Sequence, residues 1–416
     1  MKLSEELKWR GFVNQTTYKD IKALDGKPVT FYFGVDPSAD SMTIGNLAAA
    51  MMNRVFIKHG HKAYLLVGGA TGMIGDPDGK ATERELLTLE QLDKNKKAIE
   101  KQYKQVFGGM HFKLVDNYDW FRDIGYLEFL REIGKNVPMR AMLGRDFVQS
   151  RLSKDGAGIS YAELSYMLIQ GYDFLHLYRK HKVTLQLCGA DQWGNSIAGV
   201  DLIRRIKGGE AHVWSTPLVI NKATGKKFGK TEEGAVWLDG TKTSVYKFYQ
   251  FWLNLDDEGV EDYIKIYTDL DKKAVDKVMR EHHEERGKRV AQKRLAYEAT
   301  AIVHGAQAAK SQVKIAEALF SSKEALRLDT KELASLAKEF PVAKVPRQLD
   351  LSDLEKALVD ANLASSRTEA RRFITSGAVY INNVKITETS QPVIAPKVRY
   401  AVLRRGKNTN AMLQVV

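Results

Sequence analysis

What most constrains this chain is an alternation. Over roughly its first 220 residues, short β-branched runs are separated by helical stretches. Val29–Asp36 (VTFYFGVD) reads as a buried strand, and Ile44–His59 as a helix closed by Gly60. Ala63–Gly69 (AYLLVGG) and Val183–Gly189 (VTLQLCG) read as further strands, with Pro217–Ile220 as a short one. The pattern predicts an α/β fold, a parallel sheet covered on both faces. In such sheets ligands bind beyond the carboxyl ends of the strands.

The rest of the chain changes character in steps. A helical insert, Tyr118–Arg151, interrupts the alternation. From Ser244 to about Ser321 the pattern is helical, and Ser321–Asp350, with Pro341 and Pro346, reads as a linker. Leu351–Val416 reads as two short helices, then alternating strands with a turn at Asn382-Asn383. The expected domains are 1–225, 226–320 and 351–416, joined by 321–350.

Composition excludes several classes. No apolar run approaches a membrane span, and the start, MKLSEELKWRGF, lacks a signal-peptide core. Cys188, the one cysteine, excludes an internal disulfide and a multi-cysteine zinc site. A soluble, cytoplasmic protein with no membrane partner is expected. The net charge is +13, and the C-terminal half carries local excesses. Lys272–Arg294 holds nine Lys/Arg against four Asp/Glu, and the tail from Arg347 eleven against six. That suits a chain holding a polyanion behind its chemistry, although a merely basic protein would show the same charge.

Five stretches bear polar groups where the predicted elements end. Tyr32–Leu47 follows the first strand and opens a helix, whose N-terminus offers unpaired N–H groups to an anion. Thr43 and Asn46 can donate there, and Gly45 lets a flat ring approach the backbone. Gly68–Arg84 is not a P-loop, because its glycine spacing is one residue short. Its glycines keep a pocket floor open, Asp76 faces that pocket, and Lys80 and Arg84 can reach a pyrophosphate. On the helix beginning at Ser160, with Glu163 completing a capping box, Tyr166, Gln170 and Asp173 form one polar stripe among apolar neighbours. Gln186–Asn195 (QLCGADQWGN) ends a strand, and its Asp191 can accept from a ribose hydroxyl. Lys227-Phe-Gly-Lys230-Thr231 is a basic loop able to fold over a triphosphate. Taken singly, most of these are ordinary: a strand–loop–helix turn, an exposed polar face, a solvated basic loop.

Taken together and in this order, they resemble the class I aminoacyl-tRNA synthetases, in the bacterial tyrosyl form. Phe33–Leu47 stands at the family's "HIGH" signature, with Thr43 and Asn46 at its two histidines. Asparagine keeps a donor; threonine keeps a hydroxyl but loses the longer imidazole. Asp191–Asn195 (DQWGN) is a string specific to tyrosyl members, and KFGKT resembles their variant of the "KMSKS" loop. Ser365–Thr387 resembles the S-four-type RNA-binding domain that such chains carry at their C-terminus.

The resemblance implies a Rossmann-like catalytic domain, an α-helical anticodon-side domain and a small α+β RNA-binding domain. It places Tyr32 and Asp173 on a substrate phenol and Asp76, Tyr166 and Gln170 on its ammonium. Gln186 and Gln192 also fall on the amino-acid side, Gln192 at the reacting carboxylate. Asp36, Ser38, Thr43, Gly45, Asn46, Asp191 and Lys230 go to ATP. Thr43, Asn46, Lys80, Arg84, Lys227, Lys230 and Thr231 serve the transition state, and Arg367, Arg371 and Arg372 contact RNA. The implied activity is ligation of L-tyrosine to tRNA(Tyr) through tyrosyl-adenylate. ATP enters as a substrate with Mg2+, with no tightly bound cofactor and no metal site of the protein's own. A homodimer through the insert is also implied. Three other readings compete: a non-catalytic RNA-binding paralogue, a tryptophanyl enzyme, and a nucleotidyltransferase of the same superfamily.

Overall fold

The structure, a computed structural model, describes every residue except 78–84, 154, 232–233, 321–327, 388–393, 395–397 and 407–408; the side chains of Asp146, Lys230, Thr231 and Phe320 are also not described. Lys80 and Arg84 thus lie outside the described residues, as do the side chains of Lys230 and Thr231. The chain forms two compact units, Met1–Ser244 with Gln250–Gly305, and Val245–Tyr249 with Ala306–Val416. Among the described residues no helix is long and apolar enough to cross a membrane.

The first unit is built on a six-stranded sheet. Its strands are β1 (Gln15–Thr16), β2 (Thr30–Val35), β3 (Lys62–Val67), β4 (Phe112–Asp116), β5 (Val183–Gly189) and β6 (His212–Thr216), in the order β1-β6-β5-β2-β3-β4. All neighbours pair in parallel except β1 with β6. Phe31, Tyr32 and Phe33 are buried in succession, as a strand covered on both faces requires. From β2 the chain steps outward to β3 and β4, then returns to β5 on the other side. The reversal puts a crevice at the carboxyl ends of β2 and β5.

Two expectations at this sheet are corrected. Pro217–Ile220 is not a strand: the ladder ends at Thr216, and proline has no N–H with which to continue it. Phe112–Asp116, which the sequence reading passed over, is β4.

Two helices carry the site. Ile44–Lys58 starts from Thr43, whose backbone N–H donates to Asn46 Oδ1 at 2.9 Å. Tyr161–His181 starts from the expected capping box, with Glu163 N donating to Ser160 Oγ at 3.2 Å. Arg151 adds a buried fork, both guanidinium N–H bonds to Glu163 being 2.8 Å long. That fork ties the insert to the start of the helix bearing the polar stripe.

In the second unit a five-stranded sheet runs β11-β10-β12-β13-β9, from β9 (Val342–Val345), β10 (Val379–Ile381), β11 (Val384–Ile386), β12 (Tyr400–Arg405) and β13 (Thr409–Val415). Helices Leu351–Asp360 and Arg367–Thr375 accompany it. Asn382 and Asn383 have φ of 49° and 66°, as the two-residue turn between β10 and β11 needs. The linker expectation for 321–350 is corrected here. This span contains the helix Thr330–Leu336 and the edge strand β9, parallel to β13. Pro341 and Pro346 sit just outside β9, where a missing N–H breaks no ladder bond.

Candidate active site

At the crevice lies a cavity of about 280 Å³. β2 and the loop after it contribute Tyr32, Asp36 and Ser38, and the next helix start contributes Thr43, Gly45 and Asn46. Asp76 enters from the glycine-rich segment, and the stripe Tyr166, Gln170 and Asp173 from its helix. Gln186, Asp191 and Gln192 come from β5 and its end, and Lys227 from the lysine loop. Residues distant in sequence are thus brought to one hollow.

At one end Asp173 is 2% exposed. Its Oδ1 accepts from Trp120 Nε1 at 2.9 Å and its Oδ2 from Asn117 Nδ2 at 3.0 Å. Burial nonetheless pushes its carboxyl well above the usual range, outweighing those two donors. Tyr32 pairs with Gln186 in the β2–β5 register. Tyr32 Oη, Gln170 Oε1 and Gln186 Oε1 are buried without a hydrogen-bond partner among the described residues. Unpaired buried polar atoms are rare in folded proteins, each costing about 1–3 kcal/mol. Three of them on one cavity suit a polar ligand.

Beside this end, Tyr166 Oη donates to Asp36 Oδ2 at 2.7 Å, and Thr71 Oγ1 to Asp36 Oδ1 at 2.6 Å. Asp36 thus anchors the striped helix to the end of β2. A side chain on Gly68 would collide with both Asp36 and Thr71, so glycine is required there. Tyr166 is held neutral, its phenol pushed well above the usual value by burial and then by Asp36 and Asp76. With its proton directed to Asp36, its oxygen keeps an acceptor lone pair. Gln192 Nε2 donates to Asp76 Oδ2. Together, acceptors from Asp76, Tyr166 and Gln170 suit an ammonium.

The start of the Ile44–Lys58 helix also lines the cavity. Thr43 Oγ1 donates to Asn46 Oδ1 at 3.0 Å, so the threonine hydroxyl proton is used inside the cap. The Asn46 amide is thereby turned with its oxygen toward Thr43 and its NH2 group remaining as donor. The lysine loop packs against this helix start. Ile44 N donates to Val236 O at 3.1 Å, and β7 (Lys230–Thr231) pairs with β8 (Gly234–Ala235). Phe228, 4% exposed, anchors the loop: its ring stacks on Tyr263 at 4.4 Å and on Tyr267 at 5.5 Å. Lys227, next to this anchor, is exposed and lines the cavity.

In the second unit Arg367, Arg371 and Arg372 are exposed on the Arg367–Thr375 helix. Arg371 is partly committed, its Nε donating to Glu355 Oε1 at 2.7 Å.

Asn117, Trp120 and Thr71 were not singled out from the sequence. The first two follow β4; recognising FKLVD as a strand would have put Asn117-Tyr-Asp-Trp120 at its carboxyl end, where ligands gather.

A family model described as "tRNA synthetases class I (W and Y)" matches residues 24–321, and one described as "Tyrosine--tRNA ligase SYY-like C-terminal domain" matches residues 332–413. The chain is 42% identical over 424 residues to the tyrosine–tRNA ligase of Levilactobacillus brevis, covering 100% of both chains. It is 42% identical over 425 residues to tyrosine–tRNA ligase 2 of Bacillus cereus, again over 100% of both. Among solved structures, a C-terminally truncated mitochondrial tyrosyl-tRNA synthetase of Aspergillus nidulans superposes with a TM-score of 0.69 at 29% identity, covering 77% of this chain and 94% of that one.

Proposed function

Because the chain belongs to the class I tRNA synthetases of the tryptophan and tyrosine group, we propose that it is a tyrosine–tRNA ligase. It activates L-tyrosine with ATP and transfers it to tRNA(Tyr). The observation that carries the choice of amino acid is the Tyr32 hydroxyl, buried without a partner among the described residues on the same cavity as Asp173. The Tyr32 hydroxyl and the Asp173 carboxyl pair with the phenol. Asp76, Tyr166 and Gln170 take the ammonium. Gln186 Oε1 accepts from the same substrate, and Gln192 lies at its carboxylate.

ATP occupies the side formed by Asp36, Ser38, Thr43, Gly45 and Asn46, with Asp191 on the ribose. A carboxylate oxygen of tyrosine attacks the α-phosphorus, the new O–P bond forming as the bond to the β-phosphate breaks and pyrophosphate leaves. A terminal ribose hydroxyl of the tRNA then attacks the adenylate carbonyl and AMP departs. Positioning and charge stabilisation supply the rate. Asn46 donates to phosphate, held in register by Thr43. Lys227, Lys230, Thr231, Lys80 and Arg84 neutralise the developing charge. Mg2+ enters with ATP as part of that substrate.

The arginines of the C-terminal unit contact tRNA phosphates. Self-association through the insert is supported by its apolar exposure: Tyr126 is 62% exposed, Leu127 78% and Met139 56%.

Tyrosine-dependent exchange of pyrophosphate into ATP tests the activity. Exchange with tyrosine is expected. None at saturating substrates would leave an RNA-binding protein without ligase chemistry, and preference for tryptophan would overturn the choice of amino acid.

A further inference from the structure

Arg145 makes a contact with a residue next to the cavity lining. Arg145 immediately precedes the insert helix Asp146–Leu152 and is not among the residues lining the cavity. Its Nη1 donates to Asn195 Oδ1. Asn195 is 1% exposed, and its Nδ2 points to Gln192 Oε1 at 3.2 Å and Asp76 Oδ1 at 3.5 Å. Gln192 Nε2 closes the ring onto Asp76 Oδ2. Room for the guanidinium comes from Gly194, where a Cβ would lie 2.7 Å from Arg145 Nη2 and 3.0 Å from its Cζ.

A buried amide has an acceptor on one side and donors on the other, and a half-turn exchanges them. With Arg145 on Oδ1, the donors of Asn195 face a carboxylate and a carbonyl, the favourable sense. A flipped amide would set Oδ1 against the Asp76 carboxylate, two acceptors in contact with no proton between them. Asn195 is 1% exposed, so its protein partners dominate the choice between the two senses. Arginine keeps its proton at any working pH, so it serves as a fixed donor.

We propose that Arg145 is a positioning residue for amino-acid binding. By setting the Asn195 amide, it lets Asn195 and Gln192 hold Asp76 with its carboxylate oriented for the substrate ammonium. The proposal rests on the reading of Asp76 given above. It gives the insert a second link to the substrate-binding apparatus, beside that of Trp120 to Asp173.

The test is steady-state pyrophosphate exchange on the full-length protein, with tyrosine and ATP varied separately. Arg145→Met raises the KM for tyrosine on the order of tenfold or more, the worth of a hydrogen bond network ending on a charge, and leaves the KM for ATP unchanged. Arg145→Lys recovers much of that loss, because it restores a charged donor. Gly194→Ala reproduces the defect of Arg145→Met with the charge intact, by crowding the guanidinium off Asn195. Alanine is the better helix former, so this variant folds at least as readily on local grounds. An unchanged tyrosine KM in Arg145→Met overturns the proposal. So does a parallel rise in both KM values together with a fall in thermal stability, the mark of a merely structural role. Asp76→Asn separates the two layers. If Asp76→Asn impairs tyrosine binding while Arg145→Met does not, the Arg145 proposal alone fails. If Asp76→Asn leaves tyrosine affinity intact, the ammonium reading fails first and the proposal falls with it.

Discussion

Trp120 Nε1 donates to Asp173 Oδ1 at 2.9 Å, from a segment forty residues outside the helix that bears the carboxylate. Asn117 holds the other oxygen. The carboxyl is thus fixed from behind while its remaining lone pairs stay available. Asn117→Ala is expected to weaken tyrosine binding by about 1–3 kcal/mol, the cost of leaving a buried acceptor unpaired. The KM for ATP should not move. Tyrosine titration by fluorescence or calorimetry checks this, and wild-type affinity in the variant would show that Asp173 does not depend on its outer partner.

The stripe Tyr166, Gln170, Asp173 could be read because a single helix sets its geometry. The link from Asp173 to Trp120 could not, since it depends on where β4 ends, and β4 is a short, partly buried strand. The capping box at Ser160 was visible, whereas its reinforcement by Arg151 needs the insert to fold back. Pro217 and the two prolines around β9 show one residue type in two roles. It stops the ladder at the end of β6 and merely flanks an edge strand in the second unit. At Thr43 the sequence suggested a phosphate donor; the structure spends that hydroxyl on Asn46.

Phe228 seats the lysine loop. Its ring is buried among Tyr263, Tyr267 and their neighbours, so Phe228→Ala leaves a cavity and releases the backbone that presents Lys227. The expected result is a loss of about 3 kcal/mol of local stability and a slower adenylate-forming step, with tyrosine affinity unchanged. Rapid-quench or exchange kinetics read the rate. A normal rate would show that the loop finds its place without this anchor.

Acid sensitivity follows from buried histidines. Burial pushes His61 and His176 down to about 4 from 6.5. Between these values the unfolded chain binds protons that the folded one does not, so stability is lost as pH falls from 6.5 toward about 4. Asp173 has the opposite sign: its raised value gives a contribution present below the ordinary carboxylate range and lost as pH rises through the folded value. His61 Nδ1 accepts from Val29 N at 3.2 Å, a bond that glutamine can replace. His61→Gln should therefore narrow the gap in denaturation midpoint between neutral pH and about pH 4.5. An equal gap in variant and wild type would remove His61 as a cause.

The C-terminal arginines should act on RNA alone. Arg367→Glu combined with Arg372→Glu avoids Arg371, which is tied to Glu355. The pair is expected to raise the KM for tRNA and flatten the salt dependence of charging, leaving pyrophosphate exchange untouched. Full charging at moderate salt would place the RNA contact elsewhere.

A site that hydrogen-bonds a substrate hydroxyl rejects the analogue lacking it, because its own polar atoms are then left buried and unpaired; the tyrosyl family is the usual illustration of this effect. Tyr32 Oη has no partner among the described residues, so Tyr32→Phe removes that atom without breaking any bond they make to it. The decisive measurement is the ratio of kcat/KM for tyrosine to that for phenylalanine, in wild type and in Tyr32→Phe. The ratio should be large in the wild type and fall in the variant, mainly through poorer use of tyrosine. A ratio near one in the wild type, or an identical ratio in both proteins, would contradict the assignment of this cavity to a phenol.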